Sequence, residues 1–262
     1  MRMQRNALSD FWDAEIDAWL RNRQRVNPML DRWFQSYNNR PTEERSEVIF
    51  YPDPFVGDVR GLRKEPRIAT LGINPGEAYP ELQSRDGTWS DRILELGYSR
   101  CFCRSPAEDP ESWLRERRRR GKHQSPFWSR LVKFAQRWLD DPSAGVADIV
   151  NFELYPWHSG KVHGSIAPAS DIIHKYVFGP LSEFATNHVF AFGAPWFDLA
   201  NAMGLAVIKP AGQIPGSSPK SHWTAGTYEM PSRQILVVSS YSGGAGPPGA
   251  GNLPMFRRWL EA

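Results

Sequence analysis

The chain has 262 residues, 40% hydrophobic and 23% charged, the composition of a globular chain able to bury a sizeable core. A formal net charge of +3 is too small to mark a polyanion-binding protein by itself, and no stretch reaches the ~18 apolar residues of a membrane span. The two cysteines, Cys101 and Cys103, are too close for an ordinary disulfide and supply too few ligands for a tetrahedral metal centre. No metal or other cofactor is therefore expected, and with no apolar leader in MRMQRNALSD the expected compartment is the cytoplasm.

Ser9 is a candidate cap for a first helix, with Phe11, Trp12, Ile16, Trp19 and Leu20 at helical spacing. A second helix is expected after Pro28, through Leu30, Trp33 and Phe34. Residues 38–66 are polar and proline-rich and read as loop, with a short strand at 48–51. Four short apolar runs follow: RIATLGI at 67–73, VADIVNF at 146–152, HVFAFG at 188–193 and QILVVSS at 234–240. Continuous apolar runs suit strands buried on both faces, as in a parallel sheet.

Helical segments fall between these runs. Ser125 and Pro126 open one, whose Phe127, Leu131, Phe134 and Trp138 line one face. Others are expected at 170–184, 195–203 and 254–260. The alternation predicts an α/β protein, a three-layer α/β/α sandwich around a central, mainly parallel four-stranded sheet. It is read as a single domain over 1–262, with 1–66 an N-terminal helical extension and loop, and 77–124 and 209–233 as long insertions.

In such sheets a ligand sits beyond the carboxyl ends of the strands. The first run ends there in Gly72, Ile73, Asn74, Pro75 and Gly76. Two glycines permit close approach of a ligand, proline stiffens the turn, and Asn74 offers an amide that both donates and accepts. The second run leads into Asn151, Tyr155, Trp157 and His158, and the fourth into Ser240, Tyr241, Ser242, Gly243 and Gly244.

The pentapeptide GINPG resembles the first motif of the mismatch-specific uracil and thymine branch of the uracil-DNA glycosylase superfamily. SPFWSRL at 125–131 is similar to the segment that opens that family's next helix, and Phe192-Gly193 to its W-G. Asn151 falls where superfamily members place a base-reading asparagine, and 239–244 falls in the slot of the second catalytic motif. The likeness runs in order over roughly 67–260, with insertions.

The resemblance implies a glycosylase-like fold and hydrolysis of the bond between a flipped base and its deoxyribose. Asn74 would then position the attacking water through its carbonyl oxygen; an amide takes up no proton near pH 7, and the uracil-specific branch has aspartate here. Asn151 would read the base edge, with Tyr155, Trp157 and His158 at the pocket. Ser240, Tyr241 and Ser242 would bind the leaving base or the flanking phosphates, although the family's H-P-S or N-P-S motif is not matched there. Gly76 replaces a tyrosine that closes the pocket of the uracil-specific branch, which opens it to larger pyrimidines, and Tyr79 stands nearby to refill it.

The cluster RERRRRGK at 115–122, with Arg117, Arg118, Arg119 and Arg120, reads either as a solvated face or as a phosphate-binding patch. Gly243 and Gly244 open a glycine-rich tail that can approach DNA, with Leu253 or Met255 as a wedge into the stack. Core packing of Tyr155 and Trp157, and a structural role for His158, stand beside these assignments. DNA is the expected partner of a monomer with no membrane contact. The substrate would be a damaged, mismatched or modified pyrimidine, removed in repair or in defence against phage. The competing reading is a catalytically silent DNA or modified-base reader. A Walker loop and a G-x-S-x-G elbow are absent from the sequence, and no G-x-G-x-x-G follows the first run, where a dinucleotide site would need it.

Overall fold

The computed structural model describes residues 3–22, 26–37, 50–76, 78, 88–102, 126–159, 166–215, 222–241 and 245–262. Helix α1 spans Arg5–Asn22, and two 3-10 turns flanking a short helix carry 28–37. Strand β1 is Phe55–Val56 and β2 is Ile68–Gly72; helices α2 (Thr88–Glu95) and α3 (Pro126–Trp138) precede β3 (Ile149–Glu153). A helical run over 170–181, α4, includes a π-helical stretch at His174–Phe178. Then come β4 (His188–Phe192), α5 (Pro195–Ala202), β5 (Ala206–Pro215), β6 (His222–Glu229), β7 (Ile235–Tyr241) and α6 (Leu253–Glu261).

The strands form one seven-stranded mixed sheet in the order β1-β3-β2-β4-β7-β6-β5. The four runs legible in the sequence are its parallel centre, β3-β2-β4-β7. The sheet is wider than the four strands expected, because β1 adds antiparallel to β3 and the β5–β6 hairpin adds antiparallel to β7. Much of 209–233, read as a long insertion, is therefore sheet. The described part of 77–124 contains α2.

Side chains alternate across the strands, so each face carries its own core. Ala69, Leu71, Val150, Phe152, Val189, Ala191, Leu236 and Val238 face a cluster with α1, α4 and α5. Ile68, Ile149, Phe190, Phe192 and Val237 face a second cluster with Trp128, Leu131 and Phe134 of α3 and Leu253 and Phe256 of α6. Helices thus cover both faces. Among the described residues no helix is long and apolar enough to cross a membrane.

The N-terminal segments are integral to the first core. Trp33 donates its Nε1 hydrogen to the Leu154 carbonyl oxygen at 2.8 Å, and Trp12 packs edge-on against Trp33. Ser9 lies inside α1 and not at its start; it is fully buried, and its hydroxyl accepts from Arg60 Nε at 2.8 Å. Residues 51–59 are buried throughout and close the β3 edge, so this part of the expected N-terminal loop is packed chain.

Candidate functional site

Strand β2 is buried along its whole length, and the motif begins in its last residue. Gly72 pairs with Glu153, the last residue of β3. The chains then run on side by side: Leu154 N–H donates to Gly72 O at 3.0 Å, Tyr155 N–H to Ile73 O at 2.9 Å and Ser159 N–H to Gly76 O at 3.1 Å. The 72–76 turn is therefore held by the backbone of 154–159. Gly76 has a φ of 79°, in the region where a side chain is strained, and a Cβ there would meet nothing within 4 Å.

Asn74 is half-buried. Its Nδ2 donates to Ser159 Oγ at 2.8 Å and to the Ser159 carbonyl oxygen at 3.3 Å. A carbonyl oxygen only accepts, so this pair of contacts fixes which end of the amide is nitrogen. The acceptor end, Oδ1, is left on the other side of the group. His158, 2% exposed, braces the same turn. Its ring Nδ1 lies 3.0 Å from the Gly76 carbonyl oxygen and must carry a proton to bond it, while Nε2 lies 3.4 Å from Asp53 Oδ2.

Asn151 does not end its strand. It lies mid-way along β3, fully buried, because β3 continues through Phe152 in the core to Glu153. Thr70 Oγ1 donates to Asn151 Oδ1 at 2.9 Å, and Asn151 Nδ2 donates to Glu153 Oε1 at 2.8 Å. The amide is committed at both ends to its neighbours in the sheet, which leaves it no open edge to present to a base in this structure.

Tyr155 and Trp157, placed at the pocket by sequence, are each 1% exposed and lie in the aromatic core. Tyr155 donates its hydroxyl hydrogen to Phe34 O at 3.0 Å, and Trp157 packs edge-on against Trp33 and Phe34. Both rings therefore clamp the 28–37 segment to the sheet. Ser240 and Tyr241 are the last two residues of β7 and are half-buried. They pair with Thr224 and Trp223, and the Tyr241 ring sits 5.0 Å from the Trp223 ring. Of the proposed wedges, Leu253 is buried in the second core and Met255 is half-buried on α6. Tyr79, Ser242, Gly243, Gly244, Arg117, Arg118, Arg119, Arg120 and Cys103 lie outside the described residues.

The third strand end closes against the first. Gly193 follows β4 with a φ of 121°, and a Cβ there would stand 2.5 Å from Ile73 Cδ1 and 3.2 Å from the Ala245 Cβ. Strands β2 and β4 flank the place where the chain reverses direction across the sheet, so Ile73, Gly193 and Ala245 floor its switch-point crevice. A cavity of about 370 Å³ opens one step further along, between Ile166–Pro168 and the first turns of α5. Its lining is largely apolar, and Asn74 is not part of it.

The site thus brings together Gly72, Ile73, Asn74, Pro75, Gly76 and His158 at one edge of the sheet. It adds three residues the sequence reading passed over: Ser159, Asp53 and Glu153. Period-two alternation was the available signal for Glu153, since it must share the face of Asn151 once β3 is extended by two residues. Among the described residues no group of three His, Cys, Asp or Glu side chains is placed to hold a metal ion.

Compared with protein-family models, with curated proteins and with solved structures, the chain gives no match.

Proposed function

We propose that the protein is a monofunctional DNA glycosylase of the uracil-DNA glycosylase superfamily, acting on a damaged, mismatched or modified pyrimidine flipped out of DNA. The observation that carries this reading is the geometry of Asn74. Its amide follows a buried parallel strand beside the switch point, and Ser159 holds the nitrogen end, so that the oxygen end is an acceptor with no partner among the described residues. An acceptor held in this way can orient a water for attack on C1′ without needing to be a base. Helices on both faces of a parallel centre agree with the sandwich that the GINPG resemblance implies.

In the reaction the C1′–N bond breaks with its electron pair leaving on the base. Positive charge grows on the sugar, and the water oxygen bonds to C1′. Asn74 Oδ1 accepts a hydrogen bond from the water and so aims an oxygen lone pair at C1′; the proton that the water sheds as the C1′–O bond forms passes to solvent, and the departing base anion takes up a proton from solvent in turn. The rigid 72–76 turn keeps that geometry during the reaction. Gly76 leaves the floor of the site open, which accommodates a substituent at C5 of the pyrimidine.

The test is an abasic-site assay. Purified protein is incubated with duplex and single-stranded DNA carrying uracil, thymine opposite guanine, hydroxymethyluracil, or hydroxymethylcytosine with and without glucose, and alkali then cuts wherever a base is lost. Cleavage abolished by Asn74→Ala supports the reading. Tight binding without cleavage on any of these DNAs would replace it with a silent reader of modified DNA.

A further inference from the structure

The cavity of about 370 Å³ beside the crevice has no part in the reaction described above, and its chemistry is of a different kind. We propose that it is a binding site for an alkylammonium group, in which a short apolar chain lies along α5 and its terminal amine pairs with Asp198. This site does not depend on the glycosylase reading.

The lining selects by what it omits. Residues 166–168 form one wall, and Pro195, Asp198, Leu199 and Ala202 form the other. Steps of three and four put this second set on one stripe of α5. Among the described residues every lining side chain is apolar except that of Asp198. A cavity of this volume suits a small organic molecule. A polyol there would bury hydroxyl groups with nothing to bond, and an anion would meet the carboxylate. An apolar chain with one cationic end matches both the walls and the charge. Asp198 and Ala202 stand one helical turn apart, about 6 Å along the axis, which a chain of about five or six atoms spans.

The charge of Asp198 is available to a ligand. The residue is exposed, and its carboxylate has no ion pair or hydrogen bond among the described residues. It lies in the first turn of α5, where the positive end of the helix favours an anion. Its negative charge is felt inside the protein as well: burial first, and then repulsion by Asp198, push the Tyr228 phenol above its ordinary value. The cavity also adjoins the crevice. Ala194 lines it and follows Gly193, which closes against Ile73, the chain neighbour of Asn74. The same chemistry therefore has two sources: a free alkylamine, or an aminoalkyl arm on C5 of a pyrimidine held at Asn74.

The experiment follows amide chemical shifts of the full chain during titration with hexylamine, hexanol and hexanoate. Saturable shifts are expected at Ala167, Ala194 and Ala202. Hexylamine is expected to bind about fivefold more tightly than hexanol, the scale of an exposed ion pair, and hexanoate more weakly than either. Asp198→Asn should abolish the preference for hexylamine and leave hexanol unchanged, and Ala202→Phe should weaken both by filling the cavity. Equal binding of hexylamine and hexanol by wild type, a preference that survives Asp198→Asn, or no saturable shift at these alanines overturns the proposal. The source of the amine is read from cleavage of DNA whose uracil bears an aminohexyl or a hexyl arm at C5. Faster removal of the amino base, lost in Asp198→Asn, assigns the arm to the substrate; equal removal, with hexylamine still bound, assigns the site to a free amine. Hexylamine bound by a protein that cleaves none of the DNAs keeps this site and overturns the glycosylase reading alone.

Discussion

Asn74 and Ser159 meet across the ends of two neighbouring parallel strands, with Nδ2 of the one 2.8 Å from Oγ of the other. The serine's carbonyl oxygen takes the second contact at 3.3 Å, so the side-chain bond can be deleted while the backbone one remains. Ser159→Ala is expected to lower the single-turnover cleavage rate about fivefold, the equivalent of one ordinary hydrogen bond of about 1 kcal/mol. Asn74→Asp is expected to do worse, because a carboxylate cannot donate to the Ser159 carbonyl and is repelled by it. A rate for Asn74→Asp above wild type would show that the turn re-forms around the acid.

Gly193 and Ile73 are locked by shape. The glycine combines a φ of 121° with an isoleucine methyl 2.5 Å from where its Cβ would be. Gly193→Ala is expected to destabilise the fold by about 1–3 kcal/mol through backbone strain and crowding together. Ile73→Val in that background removes the Cδ1 methyl and should return only the crowding part. Urea denaturation of the single and double variants measures both parts. Equal stability of Gly193→Ala and wild type would mean that the crevice floor yields.

Tyr155 separates a base-stacking role from a core role. Its hydroxyl hydrogen bonds to Phe34 O at 3.0 Å, and its ring is buried beside Tyr37 and Trp157. Tyr155→Phe is expected to reduce stability by about 1 kcal/mol and to leave cleavage per folded molecule unchanged. A lowered rate at full stability would return Tyr155 to the substrate pocket.

The parallel centre of the sheet was legible because each of its strands is buried on both faces, so a continuous apolar run marks it without ambiguity. The hairpin was not. Strand β5 is an edge strand, exposed along most of its length, and carries Lys209, Pro210 and Gly212 with register shifts on either side of Lys209. Such a segment has the composition of a loop, and only pairing to β6 makes it sheet. The site divides in the same way. The turn at 72–76 announced itself through local backbone chemistry, which is written in consecutive residues. Asn151 and Tyr155 could not be placed without knowing where β3 ends and which face each residue takes. Two residues of added strand turn a surface asparagine into a buried one and bring Glu153 to the edge. Ser159 and Asp53 join the site through contacts across strands, for which the sequence holds no periodic signal.

At the opposite end of the same two strands, Arg67 ties the start of β2 to the start of β3, and this gives the stability an acid dependence of predictable sign. Arg67 Nη2 lies 2.6 Å from Asp141 Oδ2, and Nε lies 2.6 Å from Asp148 Oδ1. The Ser143 hydroxyl, then Arg67, hold the Asp141 carboxyl down to about 2 from an ordinary 3.8. For Asp148 burial pushes upward, but hydrogen bonds from Lys64, the Gly145 N–H and Arg67 outweigh it and leave the carboxyl below 3.8. Both groups are more acidic folded than unfolded. The unfolded chain therefore takes up protons first, and the stabilisation, complete above about pH 4–5, is lost as pH falls towards 2. Asp13 works in the reverse sense, since burial raises its carboxyl, and its contribution is lost as pH rises above 3.8. Arg67→Met leaves Asp13 untouched, so the difference between variant and wild type isolates the Arg67 share. That difference is expected to be largest at neutral pH and to shrink between pH 4 and pH 2, with cleavage per folded molecule the same in both proteins. Denaturation midpoints across this range check it, and a gap that stays constant down to pH 2 would assign the stabilisation to packing of the arginine stem instead of its charge.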